Sequence, residues 1–200
     1  MGLIIQRKVV GFNQTNCWLI GDDKEKICTL IDAGARPKKL WQWIGELGFE
    51  IKFLLFTHSH LDHIGGAHYL QRKAKVPCYL HPQDIKKRWK WLGFSLAKFT
   101  PINDGDILKL GSYQIKIIHT PGHSPGSVCY LIEDNLFCGD LLFAGGVGRW
   151  DIPGGSFRKL VRSLEKISQF DDSIKIFPGH GPATVLGEEK RINPLLKRTN

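Results

Sequence analysis

Short apolar runs, each broken by glycine, asparagine or aspartate, organise the first third of the chain. Leu3 to Val10, Thr15 to Ile20 and Lys26 to Asp32 predict strands, separated by Gly11-Phe12-Asn13-Gln14 and Gly21-Asp22-Asp23. From Pro37 to Leu47 the spacing turns helical, with Leu40, Trp41, Ile44 and Leu47 as the apolar positions and Gly48 as the stop. Ile51 to Phe56 predicts a further strand, and Ile64 to Leu70 a helix. The second half repeats the rhythm. Ile107 to Leu110, Tyr113 to His119, Ser127 to Glu133 and Asn135 to Cys138 predict strands, with turns at Asp104-Gly105, Pro121-Gly122 and Asp134-Asn135. Ser156 to Phe170 predicts a helix with Leu160, Leu164 and Ile167 on one face and Ser156 as its cap, and Ile174 to Phe177 is the last strand. No linker, low-complexity run or sequence repeat interrupts this. Two halves that each run several strands and then a helix imply two sheets packed face to face, with helices outside.

Polar residues at the strand ends carry the candidate chemistry. Thr57-His58-Ser59-His60-Leu61-Asp62-His63 places three imidazoles and a carboxylate within six positions, directly after an apolar run. His58 and His60 alternate, so on an extended chain they share one side. Asp62 and His63 fall where the chain turns, and the arrangement can serve two metal ions. Three more candidate ligands follow strands, each beside glycine: His123, Asp140 and His180. Glycine at strand ends lets distant parts of a sheet converge. A set of histidines and aspartates without cysteine suits zinc, iron or manganese and argues against a purely structural zinc. His68, His81 and His119 lie in a helix, before a proline and at a strand end, and are expected to be structural.

Composition narrows the class. The 200 residues fit a single domain spanning 1–200, and 42% hydrophobic with 24% charged residues is the balance of a soluble globular protein. No apolar run approaches the ~18–20 residues that cross a bilayer, so no membrane partner is expected. The start, Met-Gly-Leu-Ile-Ile-Gln-Arg-Lys, lacks the order of a secretory signal, which makes the cytoplasm the expected location. Cys17, Cys28, Cys78, Cys129 and Cys138 are scattered without a Cys-x-x-Cys pair and are expected to be buried and reduced. The net charge of +9 would attract anions. Its densest cluster, Lys86-Lys87-Arg88-Trp89-Lys90-Trp91, reads as an amphipathic helix with the lysines in water.

These motifs together resemble the metallo-β-lactamase superfamily: Ile31-Asp32-Ala33-Gly34, the His-x-His-x-Asp-His stretch, Pro121-Gly122-His123, Gly139-Asp140 and Gly179-His180-Gly181. The resemblance implies an α/β fold, a four-layer αβ/βα sandwich with a dinuclear site at the sheet edges. By position, His58, His60 and His123 would hold one metal and Asp62, His63 and His180 the second, with Asp140 bridging and Asp32 supporting the site. Within the superfamily, the stretches from Gly139 to Gly155 and from Gly179 to Glu189, with Asn193-Pro194, resemble the short form of the type II glyoxalases, the hydroxyacylglutathione hydrolases. Two differences accompany that likeness. Trp150 stands where those enzymes usually have threonine. The long enzymes also draw much of their glutathione site from a C-terminal helical domain, whereas this chain ends about twenty residues after His180.

The implied reaction is thioester hydrolysis by a metal-bridging hydroxide, with two divalent ions and Asp62 orienting the nucleophile. The partner would be a small-molecule thioester, glutathione-derived, such as S-lactoylglutathione. Arg149 and the cluster around Arg88 are candidates to hold its carboxylates. A second reading resembles the persulfide dioxygenases of the same superfamily, with one iron on His58, His123 and Asp140; Arg149-Trp150-Asp151-Ile152 half matches their Arg-Thr-Asp-Phe stretch. Nucleic-acid processing is not expected, because relatives with that role carry an extra clamp domain for which 200 residues leave no room. The ligand types leave zinc, iron and manganese open, and the oligomeric state is unspecified.

Overall fold

A computed structural model describes residues 2–85 and 96–197; the basic stretch from Lys86 to Trp91, Arg88 included, lies outside the described residues. The first sheet runs β1 (Leu3–Val10), β2 (Thr15–Asp22), β3 (Ile27–Ile31), β4 (Glu50–Leu55), β5 (Cys78–Leu80) and β6 (Thr100–Pro101), in that spatial order. β1, β2 and β3 pair antiparallel, whereas β3 to β6 pair parallel. Between the parallel strands come α1 (Pro37–Glu46), α2 (Leu61–Ile64), α3 (Ala67–Ala74) and α4 (Pro82–Ile85). The second sheet holds β7 (Ile107–Leu110), β8 (Tyr113–His119), β9 (Val128–Ile132) and β10 (Asn135–Gly139) as an antiparallel meander. A small hairpin of β11 (Leu142–Phe143) and β12 (Gly146–Val147) follows, then α5 (Phe157–Ser168). β13 (Lys175–Pro178) returns parallel to β10, and β14 (Thr184–Val185) and α6 (Leu186–Ile192) complete the second half.

Strand alternation produces the layers. In β2, Trp18 and Ile20 face the second sheet while Cys17 and Leu19 face α1 and α3. In β9, Val128, Tyr130 and Ile132 face the first sheet and Cys129 faces α5. Ile51 and Leu54 of β4 share the helix-facing side despite their odd spacing, because the register against β3 shifts beside Lys52: Cys28 pairs with Ile51, but Thr29 pairs with Phe53. On the outside of the second sheet α5 buries Leu160, Leu164 and Ile167, each contributing about 1.5–3 kcal/mol relative to exposure. Ser156 caps that helix by accepting the Lys159 N–H at 3.4 Å. The expected order of helix, sheet, sheet, helix is therefore the observed α/β architecture.

The structure corrects one local expectation. Asp62 and His63 lie in the short helix α2, capped by His60, and Ile64 to Leu70 is not continuous helix, since α3 begins only at Ala67. The break is a packing requirement. A Cβ on Gly65 would land on the Gly34 carbonyl, and one on Gly34 would land on the Asp62 carbonyl. Only glycine allows this approach, which presses α2 onto the end of β3.

Three histidines outside the ligand cluster behave as structural residues. His68 sits in α3 against Phe99. His81 is 7% exposed, stacks on His119 with ring centroids 4.1 Å apart, and its Nδ1 accepts the Gln83 N–H at 3.3 Å. Burial and the neighbouring His119 push the His81 imidazole down to about 4, against the opposing pull of Asp84 and Asp104. The folded value lies below the ordinary value near 6.5, so the stabilisation is complete above about pH 6.5 and is lost as the pH falls toward 4. Allowing for solvent screening, the expected loss is on the order of 1–2 kcal/mol. Urea denaturation at pH 7.5 and 4.5 checks it: His81→Gln should lose less stability between the two pH values than the parent chain. Equal losses would contradict the assignment.

Candidate metal centre

One end of the sandwich gathers the polar residues. β3 and β4 are parallel, as are β10 and β13, so the segments leaving all four strands emerge where the two sheets meet. Hydrogen bonds between the sheets fix that edge. Val128 N–H donates to the Thr57 carbonyl at 2.9 Å and Asn16 N–H to the Gly179 carbonyl at 2.7 Å. Deeper in, the Tyr130 hydroxyl donates to the Phe56 carbonyl and Trp18 Nε1–H to the Pro178 carbonyl. The loop carrying His58 and His60 is thereby held against the loop carrying His123, and the segment carrying His180 against β2.

Two groups of donor atoms converge there, His58 with His60 and His123, and Asp62 with His63 and His180, each within 4.8 Å. Asp140 lies between them. Its Oδ1 is 3.5 Å from His63 Nε2, and its Oδ2 is 3.5 Å from His123 Nε2 and 3.6 Å from His180 Nε2. Gly179 makes this approach possible, because a Cβ there would strike Asp140 Oδ1 and crowd the His63 ring. All seven sequence-predicted ligand residues are thus brought together.

Outer partners orient the imidazoles. His63 Nδ1–H donates to Asp32 Oδ2 at 2.9 Å, His123 Nδ1–H to the Arg149 carbonyl at 2.8 Å and His180 Nδ1–H to the Asn13 carbonyl at 3.0 Å. The Thr57 hydroxyl donates to Asp32 Oδ2 at 2.7 Å and so accepts from His58 Nδ1 at 3.0 Å. In each ring the Nε2 lone pair is then left to face the centre. His63 Nε2 and His180 Nε2 lie 3.3 Å apart, and His123 Nε2 is 2.9 Å from His60 Nδ1. Lone pairs this close require a shared proton or a cation between them.

The electrostatics agree. Burial disfavours a charge on His63, yet Asp140, Asp32 and Asp62 outweigh it and hold the imidazole up at about 9. Donation of a hydrogen bond to Asp62 likewise raises His180. Burial opposes ionisation of Asp62, but His180, His63 and the Asn13 amide hold it well below the usual carboxylate range. Asp140 Oδ1 is buried and has no hydrogen-bond partner among the described residues. A buried carboxylate oxygen without a donor, facing imidazole lone pairs, is the environment a divalent cation satisfies. The residues present therefore fit bound metal.

Asp32 is buried at the end of β3 and turns the chain with a left-handed φ of 58°. Besides His63 and the Thr57 hydroxyl it accepts the Thr57 N–H at 2.8 Å, so it supports the centre from beneath. Arg149 reaches the site through its carbonyl. Its guanidinium pairs with Asp151 at 2.9 and 3.1 Å, and its side chain is 71% exposed. Trp150 packs beside Phe157 at the same rim, partly exposed.

Two residues escaped the sequence reading. Asn13, in the β1–β2 turn, gives its carbonyl to His180 and its amide to Asp62 at 3.1 Å. Asp84 of α4 is wholly buried and accepts from Ser59 N–H, the Ser124 hydroxyl and Gly126 N–H, each at 2.8 Å. It joins the His58-Ser59-His60 loop to the His123 loop. The only signal was a carboxylate one turn after a buried apolar strand, a pattern too common to single out.

Comparison with known proteins identifies the arrangement. A family model described as the metallo-beta-lactamase superfamily matches residues 10–180. The hydroxyacylglutathione hydrolase GloC of Haemophilus influenzae is 38% identical over 198 residues, covering 92% of this chain and 93% of that protein. Among solved structures, TTHA1623 in a di-iron-bound form has a TM-score of 0.82 at 33% identity, covering 96% of this chain and 100% of the other. ETHE1 from Myxococcus xanthus has a TM-score of 0.86 at 26% identity, covering 97% and 85%. With five motif segments meeting at one sheet edge and a family model spanning most of its length, this chain belongs to the metallo-beta-lactamase superfamily.

Proposed function

We propose that this chain is a dinuclear metal-dependent thioester hydrolase, acting on S-lactoylglutathione or a related acyl thioester. The observation that carries the reading is Asp140, whose two oxygens face the histidines of both donor groups. In this reading His58, His60 and His123 hold one divalent ion, Asp62, His63 and His180 the other, and Asp140 bridges them. Zinc is the first choice, with iron or manganese as alternatives; the di-iron form of TTHA1623 supports a two-ion site. The likeness to GloC supports the substrate class.

When bound, such an ion pair lowers the pKa of a water nucleophile and polarises the substrate carbonyl. The chain's own residues do the rest. Asp62, held anionic, would accept a hydrogen bond from the water and orient it. Asp32, Thr57, Asn13 and the Arg149 carbonyl keep the imidazoles from turning. No thiol serves as nucleophile: burial pushes Cys28, Cys78 and Cys129 up to about 12, so they stay protonated. The departing thiolate is stable enough to leave without a dedicated acid. Arg149, at the rim, would meet the substrate with Asp151 sharing its charge.

Residues 1–200 act as one domain in this reading, located in the cytoplasm. The five free, buried cysteines fit a reducing compartment. Among the described residues no helix is long and apolar enough to cross a membrane.

The likeness to ETHE1 supports a second reading, an oxidoreductase of the persulfide dioxygenase type with one iron on His58, His123 and Asp140. Elemental analysis of purified protein together with thiol release from S-D-lactoylglutathione separates the two. Two ions per chain and released glutathione are expected. One iron per chain with oxygen uptake on glutathione persulfide would replace the hydrolase.

A further inference from the structure

A groove of about 280 Å³ opens beside the centre, lined by Arg7, Val9, Gln14, Asn16, Gly181 and Pro182. It begins one residue beyond His180, and Thr15, between the lining residues Gln14 and Asn16, forms a β-bridge with His180. Arg7 lies opposite Trp18 in the β1–β2 register, with its guanidinium 5.8 Å from the Trp18 ring centroid. Its Nη1 donates to the Gly181 carbonyl at 3.1 Å. The ring and the carbonyl fix the head group while leaving most of its donors toward the groove. Among the described residues no carboxylate forms an ion pair with Arg7, whereas Arg149 is paired with Asp151, Lys166 with Asp104 and Lys190 with Asp172. An oriented guanidinium with no counter-charge, at the wall of a groove whose lining adjoins His180, is equipped to receive an anion.

We infer that this groove binds the anionic end of the substrate's thiol half, with Arg7 pairing its carboxylate or phosphate. The inference rests on the thioester hydrolase reading above. The thiol half is assigned because it carries the charge in thioesters of glutathione and of coenzyme A, whereas a lactoyl group is small and neutral. The volume sets the extent of the contact. At about 280 Å³ the groove lies below the ~300–1,000 Å³ of sites that enclose a whole small ligand, so it takes one end of the thiol moiety. Exposed Val9 offers apolar surface for the methylenes leading to that charge. Arg7 would be a specificity residue, remote from the reacting atoms.

The test compares three thioesters of one acyl group on metal-loaded protein: the glutathione thioester, the coenzyme A thioester and the neutral N-acetylcysteamine thioester. In Arg7→Ala the ratio of kcat/KM for the anionic over the neutral thioester should fall tenfold or more, mainly through KM, the scale of one lost charge-assisted pair. Arg7→Lys should recover part of it. Binding of the free thiol measured by calorimetry should weaken in parallel, which is a readout independent of turnover. Whichever anionic thioester shows the larger drop tells carboxylate from phosphate. An unchanged ratio, or an equal fall for all three thioesters, overturns the groove assignment. Failure of the unsubstituted protein to release thiol from any of them overturns the hydrolase reading instead.

Discussion

Asp140→Ala is expected to lose bound metal and thioester hydrolysis together, with turnover falling by about 10³-fold or more, the scale of removing a group that holds charge at a reaction centre. Among the described residues Asp140 is the one carboxylate within 3.6 Å of imidazoles from both donor groups. Without it each proposed ion keeps three ligands but loses the anion between them, and mutual repulsion of two dications is no longer offset. Asp140→Asn keeps the shape and removes the charge, so it should resemble alanine in metal content. Elemental analysis and thiol release on the same preparation, with circular dichroism to verify folding, check the expectation. Two ions retained per folded chain would refute the bridging assignment.

Asp84→Ala is expected to produce the largest loss of stability, about 3–5 kcal/mol. The substitution strands the N–H groups of Ser59 and Gly126 in a buried site, at about 1–3 kcal/mol each, and removes one of the two partners of the Ser124 hydroxyl, leaving Ser127. For a chain of this size that corresponds to a Tm roughly 6–20 °C lower. Metal affinity should fall as well, by roughly 10–100-fold, because the loops carrying His58, His60 and His123 lose their common anchor. Asp84→Asn, which accepts through one oxygen, should lie between alanine and the parent. Thermal melting and competitive metal titration measure both effects. A variant that melts like the parent would show that Asp84 is not the clamp its hydrogen bonds describe.

How much of this was legible before the structure depends on which physics is local. The layers were readable because β2 and β9 are short apolar runs buried on both faces, bounded by polar turns, and because α5 carries a 3.6-residue period. The ligand residues were readable because histidine and aspartate beside glycine at strand ends have few structural explanations. β5, β6, β11, β12 and β14 were not: strands of two or three residues contain too few positions to display a period. The short helix α2 was not legible, because Ile64 to Leu70 reads as one helix and the close approach of Gly34 that breaks it at Gly65 and Gly66 is not written locally. Asn13 and Asp84 act by joining segments 49 and 25–42 residues apart in the chain, a relation that no local pattern encodes. Arg149 illustrates the same limit, since its contribution to the centre is a main-chain carbonyl, which any residue type would supply.

The division of the donors between the sheets has a further consequence. His58, His60, Asp62 and His63 leave the first sheet, whereas His123, Asp140 and His180 leave the second, so each proposed ion takes two ligands from each half, with Asp140 counted for both. Neither half alone presents a full set. A bound ion is then a removable cross-link between the two sheets, joining segments more than sixty residues apart in the chain. The full ligand set exists only once the sheets have docked, so metal binding is linked to folding. Metal content in this chain therefore reports correct assembly as directly as it reports catalytic competence.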